Sequence, residues 1–350
     1  MQRWLANSLK VAISAAILIY LGWQARKSLP DLQGQPPDWW LLSLSALLCL
    51  AMVVVTIIRW HLLVRALELP FRLRDAFRLG FLGYLFNFVS LGSVGGDLFR
   101  AIFIAREQPG RRAEAVATVF IDRVIGLYAL FVVASIAVLA VGLLRHPHEG
   151  VRLLCHLTLL GTAISTLAGF VMLTPGFTNG RLSQWLGDLP RVGRIIRRLL
   201  GAVRMYRARL PVLIVAGLMS VAVHSLSTVG IYLAAVGLPG EAPDLVSHFL
   251  IVPLGMLAAA VPISVSGLGV FEGVLDVLYV QLGASTGVMT GTGFVVGLCY
   301  RAITIGIAII GFGYYLANRA VVRQVMRQAS ETGELDAALR VAEVARLRAS

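Results

Sequence analysis

Long apolar stretches alternate with short polar segments over most of this chain, and the apolar stretches have the length of membrane-crossing helices. A helix needs roughly 18 to 20 apolar residues to cross a bilayer. Six stretches qualify as full spans, with approximate ranges 1–23, 39–58, 119–144, 153–174, 211–236 and 288–316. The pattern predicts an all-α polytopic membrane protein with about six full transmembrane helices.

Two further apolar stretches, 79–96 and 249–282, contain residues that interrupt helices. Arginines flank the first stretch on both sides, and arginine flanks mark the cytoplasmic face of a membrane. A re-entrant segment that enters and leaves on that face satisfies this charge rule, and broken backbone is tolerated where protein or water lines it. The candidate helix-breaking residues are Asn87, Gly92, Gly95, Gly96, Pro262, Gly267 and Gly269.

These residues allow more than one interpretation. The glycines fit turns or breaks, because glycine adopts backbone shapes that other residues resist, but they also fit close helix packing. Asn87 fits either a cap on a broken helix or a hydrogen bond across the bundle. Because the glycines lie beside charged residues, we favour turns or breaks.

The two halves of the chain resemble each other weakly. Asp97 and Glu272 each follow a glycine-rich break and lie 175 positions apart, while Arg123 and Arg301 lie 178 positions apart in similar contexts. Near-constant spacing of this kind indicates an internal repeat, which many transporters carry in inverted form. We therefore predict two re-entrant segments that enter from opposite faces.

Composition and charge support a membrane protein and argue against a nucleic-acid-binding one. The chain has 350 residues, of which 58% are hydrophobic and 14% charged, and its net charge is +13. The arginines flank apolar segments, which favours contact with anionic lipid. No cysteine, histidine or carboxylate pattern indicates a metal site, and no cofactor motif is present in the sequence.

The spans predict one integral membrane domain over 1–318, with halves at about 1–175 and 211–318. A basic amphipathic segment, 176–210, joins the halves and is expected on the cytoplasmic leaflet. Residues 319–350 are expected to form a short cytoplasmic helical tail. Both termini are therefore predicted to be cytoplasmic, in an inner membrane.

Several ionisable residues lie in or beside apolar stretches, where each costs about 2.5 to 3.5 kcal/mol to insert. They are Asp97, Arg100, Asp122, Arg123, Glu272, Asp276 and Arg301. Structural ion pairs, Asp97 with Arg123 and Glu272 with Arg301, offset this cost in one interpretation. In the other, Arg100, Arg123 and Arg301 bind an anionic head group, since guanidinium matches phosphate in a bidentate geometry.

Taken together, these motifs resemble a known family. Gly95-Gly96-Asp97-Leu98-Phe99-Arg100, then Asp122-Arg123, then the segment from Pro262 through Gly267 and Gly269 to Glu272 are similar to the flippase-like membrane domain of lysylphosphatidylglycerol synthases and their stand-alone relatives. Members often carry a proline shortly before the Gly-Gly-Asp, where this chain has serines, glycine and leucine.

The resemblance implies a membrane protein that moves or handles lipids with charged or glycosylated head groups. In bifunctional members a soluble synthase domain follows the membrane part. Only 34 residues follow the last predicted span here, so we expect neither that domain nor aminoacyl transfer.

We therefore predict a lipid translocase, not an enzyme, with anionic membrane lipids as partners. Arg100, Arg123 and Arg301 would contact the head group, and Asp97, Asp122 and Glu272 would orient or couple them. Two alternatives stay open: a membrane-embedded enzyme acting on a lipid-linked sugar or phosphate, and a non-transporting partner of a lipid-modifying enzyme or glycosyltransferase. Proton-coupled transport and energy-independent scrambling both fit the sequence. The sequence also leaves the oligomeric state open.

Overall fold

In the computed structural model, helices make up nearly all of the described chain, which comprises residues 18–23, 36–89, 95–145, 147–174, 188, 201, 204–260, 267–283, 287–320 and 322. These residues contain no strand. Within them we number nine α-helices by their described bounds: α1 (Trp39–Ala66), α2 (Leu73–Val89), α3 (Gly95–Glu107), α4 (Arg112–Val141), α5 (Glu149–Leu173), α6 (Leu210–Gly237), α7 (Leu245–Ala260), α8 (Val270–Leu282) and α9 (Thr292–Ala317).

Five of these helices, α1, α4, α5, α6 and α9, are long and apolar enough to cross a membrane. They correspond to five of the six predicted full spans, and the fold is that of an all-α polytopic membrane protein. The remaining predicted span, 1–23, is described only over 18–23, which is helical. Most of the predicted joining segment 176–210 and of the tail 319–350 lies outside the described residues.

Two helices extend by seven or more residues beyond their predicted bounds. The predicted second span ended at Ile58, but α1 continues to Ala66. The predicted third span began at Val119, but α4 begins at Arg112, so that Asp122 lies nearly three turns inside it. The prediction placed Arg59 in a cytoplasmic flank, whereas in the structure it lies within α1 and pairs with Asp122 inside the bundle.

The antiparallel helices α1 and α6 make the most extensive packing contact in the fold. The Asp38 amide, just before α1, donates to the Gly237 carbonyl at the end of α6 (2.9 Å). About two turns further into α1, the buried Ser45 hydroxyl donates to the Gly230 carbonyl (2.7 Å). The lack of a side chain at Gly230 leaves room for Cys49, so the two backbones approach closely.

The short helices form two antiparallel pairs. In the first pair, Arg78 of α2 donates to Glu107 at the end of α3 (2.5 Å), so the outer ends of both helices lie together. In the second pair, His248 of α7 is hydrogen-bonded to Tyr279 in the last turn of α8 (2.6 Å). We call these pairs the first and second hairpins. Residues 90–94 and 261–266, between their arms, are not described, so Gly92 and Pro262 lie outside the described residues.

The two hairpins open at opposite ends of the bundle. The first opens where α1 ends, because Arg111, between α3 and α4, donates to the Leu67 carbonyl (2.8 Å). The second opens where α1 begins, because α7 follows α6 directly after Gly237. We call the former the arginine end, since it carries exposed arginines at 65, 72, 74, 106, 111 and 112.

The second hairpin begins at a helix cap outside the spanning segments. Asp244 accepts a hydrogen bond from the Ser247 amide (3.0 Å), as an N-cap carboxylate does. Hydrogen bonding from Ser247 lowers the pKa of Asp244. Pro253 lies inside α7 without ending it, so the interruption of this stretch is not at that proline.

Helix α5 lies at the periphery. Among the described helices, its substantial contacts are with α4, through bonds such as that between Ser135 and Thr162 (2.6 Å). Its outer face carries exposed leucines and an isoleucine at helical spacing, as a lipid-facing helix should.

Candidate functional site

The first hairpin holds a carboxylate between two arginines. Asp97 is the third residue of α3, where the positive end of the helix dipole favours an anion. One of its oxygens accepts a hydrogen bond from Arg100 on the same helix, and the other accepts from Arg123 on α4. The ion pair between Asp97 and Arg123 that the sequence allowed is therefore formed.

A second carboxylate lies deeper in the bundle. Asp122 of α4 accepts a hydrogen bond from Arg59 Nε (2.8 Å), and Arg100 Nη2 lies 3.8 Å from its other oxygen. Arg59 also donates to the hydroxyl of Ser220 on α6 (2.6 Å). The guanidinium of Arg100 lies 5.0 Å from the ring of Trp60, within range of a cation–π interaction.

These contacts form a continuous chain of alternating charge, Arg59, Asp122, Arg100, Asp97 and Arg123, which we call the charge chain. It runs from the interior toward the surface. The Arg59 side chain is 5% exposed, whereas that of Arg123 is 48% exposed. Each interior member has an opposite charge beside it, which offsets the cost of its burial.

The second hairpin holds a simpler pair. Glu272 is the third residue of α8, the position that Asp97 has in α3. Its Oε1 accepts from Arg301 of α9 at both Nε (3.0 Å) and Nη2 (2.7 Å), while Oε2 accepts from the Gly269 amide (2.8 Å). The Glu272 side chain is 0% exposed and that of Arg301 is 16% exposed.

The glycines divide between the two roles that the sequence allowed. Gly267 and Gly269 have φ angles of +72° and +82°, which favour glycine and fit a turn before α8. Gly96 instead lies within α3, where a Cβ atom would overlap the carbonyl oxygen of Gly83 on α2. Gly96 therefore has the close-packing role, because the lack of a side chain there lets the two arms touch. The predicted break just before it falls in residues 90–94, outside the described part of the chain.

Asn87 lies at the same contact. Its side-chain oxygen accepts a hydrogen bond from the Gly96 amide (3.0 Å), in the first turn of α3. The first four amides of a helix lack partners within the helix. Asn87 on α2 therefore satisfies one of them from the opposite arm, just before Asp97.

Asp276 has a structural position. From α8 it accepts hydrogen bonds from the Gly291 amide (2.7 Å) and the Phe294 amide (3.4 Å), at the start of α9. Replacing Asp276 by alanine leaves these buried donors without an acceptor, so we expect a stability loss of about 1–3 kcal/mol in detergent unfolding. Asp276→Asn keeps an acceptor oxygen, so it should lose less. Equal losses for the two variants would contradict the capping role.

The structure gathers the predicted residues into two clusters. Asp97, Arg100, Asp122 and Arg123 belong to the charge chain, and Glu272 and Arg301 form the second pair. Sequence reasoning missed Arg59, which was taken as part of a cytoplasmic flank. The signal was present, since apolar residues continue as Leu62-Leu63-Val64 after it. Among the described residues, no group of three or more His, Cys, Asp or Glu side chains could hold a metal ion.

Comparison with known protein families assigns this chain to a family. The family model for the lysylphosphatidylglycerol synthase TM region matches residues 7–311. The chain belongs to this family. No curated protein matches it. As a member of the lysylphosphatidylglycerol synthase TM region family with several apolar spanning helices, it is an integral membrane protein connected with lipid handling.

Proposed function

We propose that this protein is a translocase that moves membrane lipids with charged head groups between leaflets of the inner membrane. The observation that carries the proposal is the pair of carboxylate–arginine contacts, Asp97 with Arg123 and Glu272 with Arg301. The two carboxylates occupy equivalent positions in hairpins that open at opposite ends of the bundle, and each pairs with an arginine of a long helix beside its hairpin. A lipid head group crossing a bilayer needs polar partners on both sides of the apolar core.

An inverted repeat accounts for the packing of the helices. In it, α1 corresponds to α6, the first hairpin to the second, and α4 to α9. The antiparallel contact of α1 with α6 supports this assignment, as does a reciprocal exchange in which α4 packs on α7 while α9 packs on α2. Each hairpin would then be a re-entrant segment, covered by the long helix of the other half.

The charges supply a means of binding. Each carboxylate occupies the place that an anion favours, near a helix N-terminus and against guanidinium. A lipid phosphate carries the same charge and more acceptor oxygens, so it can replace Asp97 or Glu272 as the partner of the arginine. The displaced carboxylate would orient the arginine again after the head group leaves, while the acyl chains stay in the bilayer.

The arginine end would face the cytoplasm. Six exposed arginines there fit the excess of basic residues on cytoplasmic loops. The first hairpin would accordingly open toward the cytoplasm and the second toward the outer side, with both chain termini cytoplasmic.

Lipid movement in proteoliposomes tests the proposal. Head-group-labelled phosphatidylglycerol and phosphatidylcholine are supplied, and the label exposed outside is quenched over time. We expect quenching by the unaltered protein, and roughly tenfold or greater slowing for Arg123→Ala and Glu272→Gln, because each substitution removes a charge-assisted hydrogen bond. The purified protein should not change the mass of either lipid.

The matched control is Arg152→Ala. Arg152 pairs with Glu149 at 3.5 Å on the exposed start of α5, away from both clusters. The rate of lipid movement by this variant should stay within about twofold of that of the unaltered protein, since exposed ion pairs contribute little to stability. Absence of movement by a folded protein would contradict the proposal. Mass spectrometry would then look for a chemically altered lipid, and co-purification for a lipid-modifying enzyme.

A further inference from the structure

A line of polar side chains follows one face of α6 through the apolar interior. Its members are Ser220, His224, Ser227 and Thr228, and the last three lie four, seven and eight residues after the first, which places all of them on one side of the helix. The line covers roughly 12 Å along the helix axis. His224, within it, donates through Nε2 to the Gly126 carbonyl of α4 (2.9 Å).

Both ends of this line reach the charged residues of the two hairpins. At one end the Ser220 hydroxyl accepts a hydrogen bond from Arg59, the innermost member of the charge chain (2.6 Å). At the other end Ser227 lies beside the phenol of Tyr300 on α9, the residue that precedes Arg301. The line therefore connects the inner part of the charge chain with the arginine of the second pair.

Two hydroxyls of the line have an unusual environment. The side chains of Ser227 and Thr228 are fully buried, yet neither hydroxyl makes a hydrogen bond of good geometry to any described residue. A serine or threonine hydroxyl within a helix can donate to the carbonyl four residues earlier, as Ser220 does to Ala216 (2.7 Å). Because an unpaired buried hydroxyl lowers stability, these two are expected to have a partner that is not part of the described chain.

Resting on the proposed function, we infer that Ser227 and Thr228 form a hydroxyl site that binds the hydroxyl groups of a lipid head group between its contacts with the charge chain and with the second pair. Each side-chain hydroxyl both donates and accepts, so the two can pair with the hydroxyls of a glycerol or sugar head group. The arginines on either side would contact the phosphate, and the hydroxyl site would contact the part of the head group beyond it.

The packing of α6 indicates how the hydroxyl site would open. In this conformation Ser227 and Thr228 are enclosed, so helices must separate before a head group can enter. The contact of α6 with α9 is much smaller than that of α6 with α1. We therefore expect α9 to move away from α6 during transport, while α1 and α6 stay together.

Two anionic lipids that differ in head-group hydroxyls test this inference. Phosphatidylglycerol and phosphatidylmethanol carry the same net charge, but only the former has hydroxyls in its head group. Both are labelled on an acyl chain, and the label exposed outside proteoliposomes is quenched over time. The unaltered protein should move phosphatidylglycerol about tenfold faster, since two hydrogen bonds are gained. The double variant Ser227→Ala/Thr228→Val should bring the ratio of rates to about one.

The matched control is Thr158→Val on α5. Thr158 is also buried, but its hydroxyl donates to the Leu154 carbonyl (2.8 Å). This variant should leave the ratio of rates unchanged. The single variant Thr228→Val keeps the side-chain shape and removes an unpaired hydroxyl, so its melting temperature should not fall although its ratio does. An unchanged ratio in the folded double variant, as expected if the hydroxyls hold only water, overturns the inference, and so does an equal change in Thr158→Val.

A binding measurement separates failure of this inference from failure of the proposed function. The melting temperature of the detergent-purified protein is measured with phosphatidylglycerol, with phosphatidylmethanol and with soluble glycerol phosphate. Greater stabilisation by phosphatidylglycerol than by phosphatidylmethanol, lost in the double variant, supports the hydroxyl site even if no lipid moves. Equal stabilisation of the unaltered protein by these two lipids overturns it. Stabilisation by glycerol phosphate as large as that by phosphatidylglycerol overturns the assignment to a lipid.

Discussion

Replacing Arg59 by leucine is expected to lower the free energy of unfolding by about 3–5 kcal/mol, which is the usual effect of removing one member of a buried ion pair. Arg59 is the innermost member of the charge chain, and it holds both Asp122 and Ser220. Its loss leaves the Asp122 carboxylate buried without its closest partner. Denaturation in detergent, followed by circular dichroism, measures the change.

Two further variants make this prediction specific. The double variant Arg59→Leu/Asp122→Leu removes both charges, so it should recover most of the lost stability, since apolar residues can replace a buried pair at little cost. Arg65→Leu is the control on the same helix. Arg65 is exposed and donates only to the Leu69 carbonyl (3.3 Å), so the loss should stay under about 1 kcal/mol. If the double variant is no more stable than Arg59→Leu, burial of the unpaired Asp122 is not the cause.

Replacing Gly96 by valine is expected to open the first hairpin and abolish lipid movement. The added side chain would overlap the backbone of Gly83, which cannot move aside as a flexible side chain can. The arms of the hairpin must separate, at a cost of about 1–3 kcal/mol or more, and Asp97 moves with its helix away from Arg123. Detergent unfolding and the proteoliposome assay together measure both effects.

The control for this substitution is Gly306→Val on α9. Gly306 has no atom within 4 Å of where its Cβ would lie, so the added side chain meets open space. Stability and the rate of lipid movement should change little. Gly96→Val with an unaltered transport rate would show that close contact of the arms is not needed for the site.

Part of the site could be predicted because pairing of charges follows from composition. An arginine and a carboxylate in apolar stretches must offset each other, and the near-equal spacing of Asp97 to Glu272 and Arg123 to Arg301 indicated which belong together. The long spans followed from hydropathy in the same way. Both features follow from the hydropathy and charge of residues near each other in sequence, so they can be predicted without knowing the fold.

The rest depended on contacts between distant segments. Arg59 meets Asp122 across 63 positions and Ser220 across 161. The apolar residues that follow Arg59 indicate that the helix continues, but they do not indicate which distant side chains it contacts. The role of Gly96 likewise depends on Gly83 from the other arm. A glycine beside a charge fits a turn and a close helix contact equally well until its neighbour is known.

The two oxygens of Glu272 accept hydrogen bonds from different donors, so the loss of Arg301 would remove the bonds of only one of them. One oxygen accepts from the amide of Gly269 at the start of α8, and the other from Arg301. If a phosphate draws Arg301 away, the bond to Gly269 persists and the first turn of α8 keeps its acceptor. The N-terminal turn of α8 would then stay folded while the anion bound beside it changes. A cycle of lipid movement would therefore not need unwinding and refolding of the second hairpin.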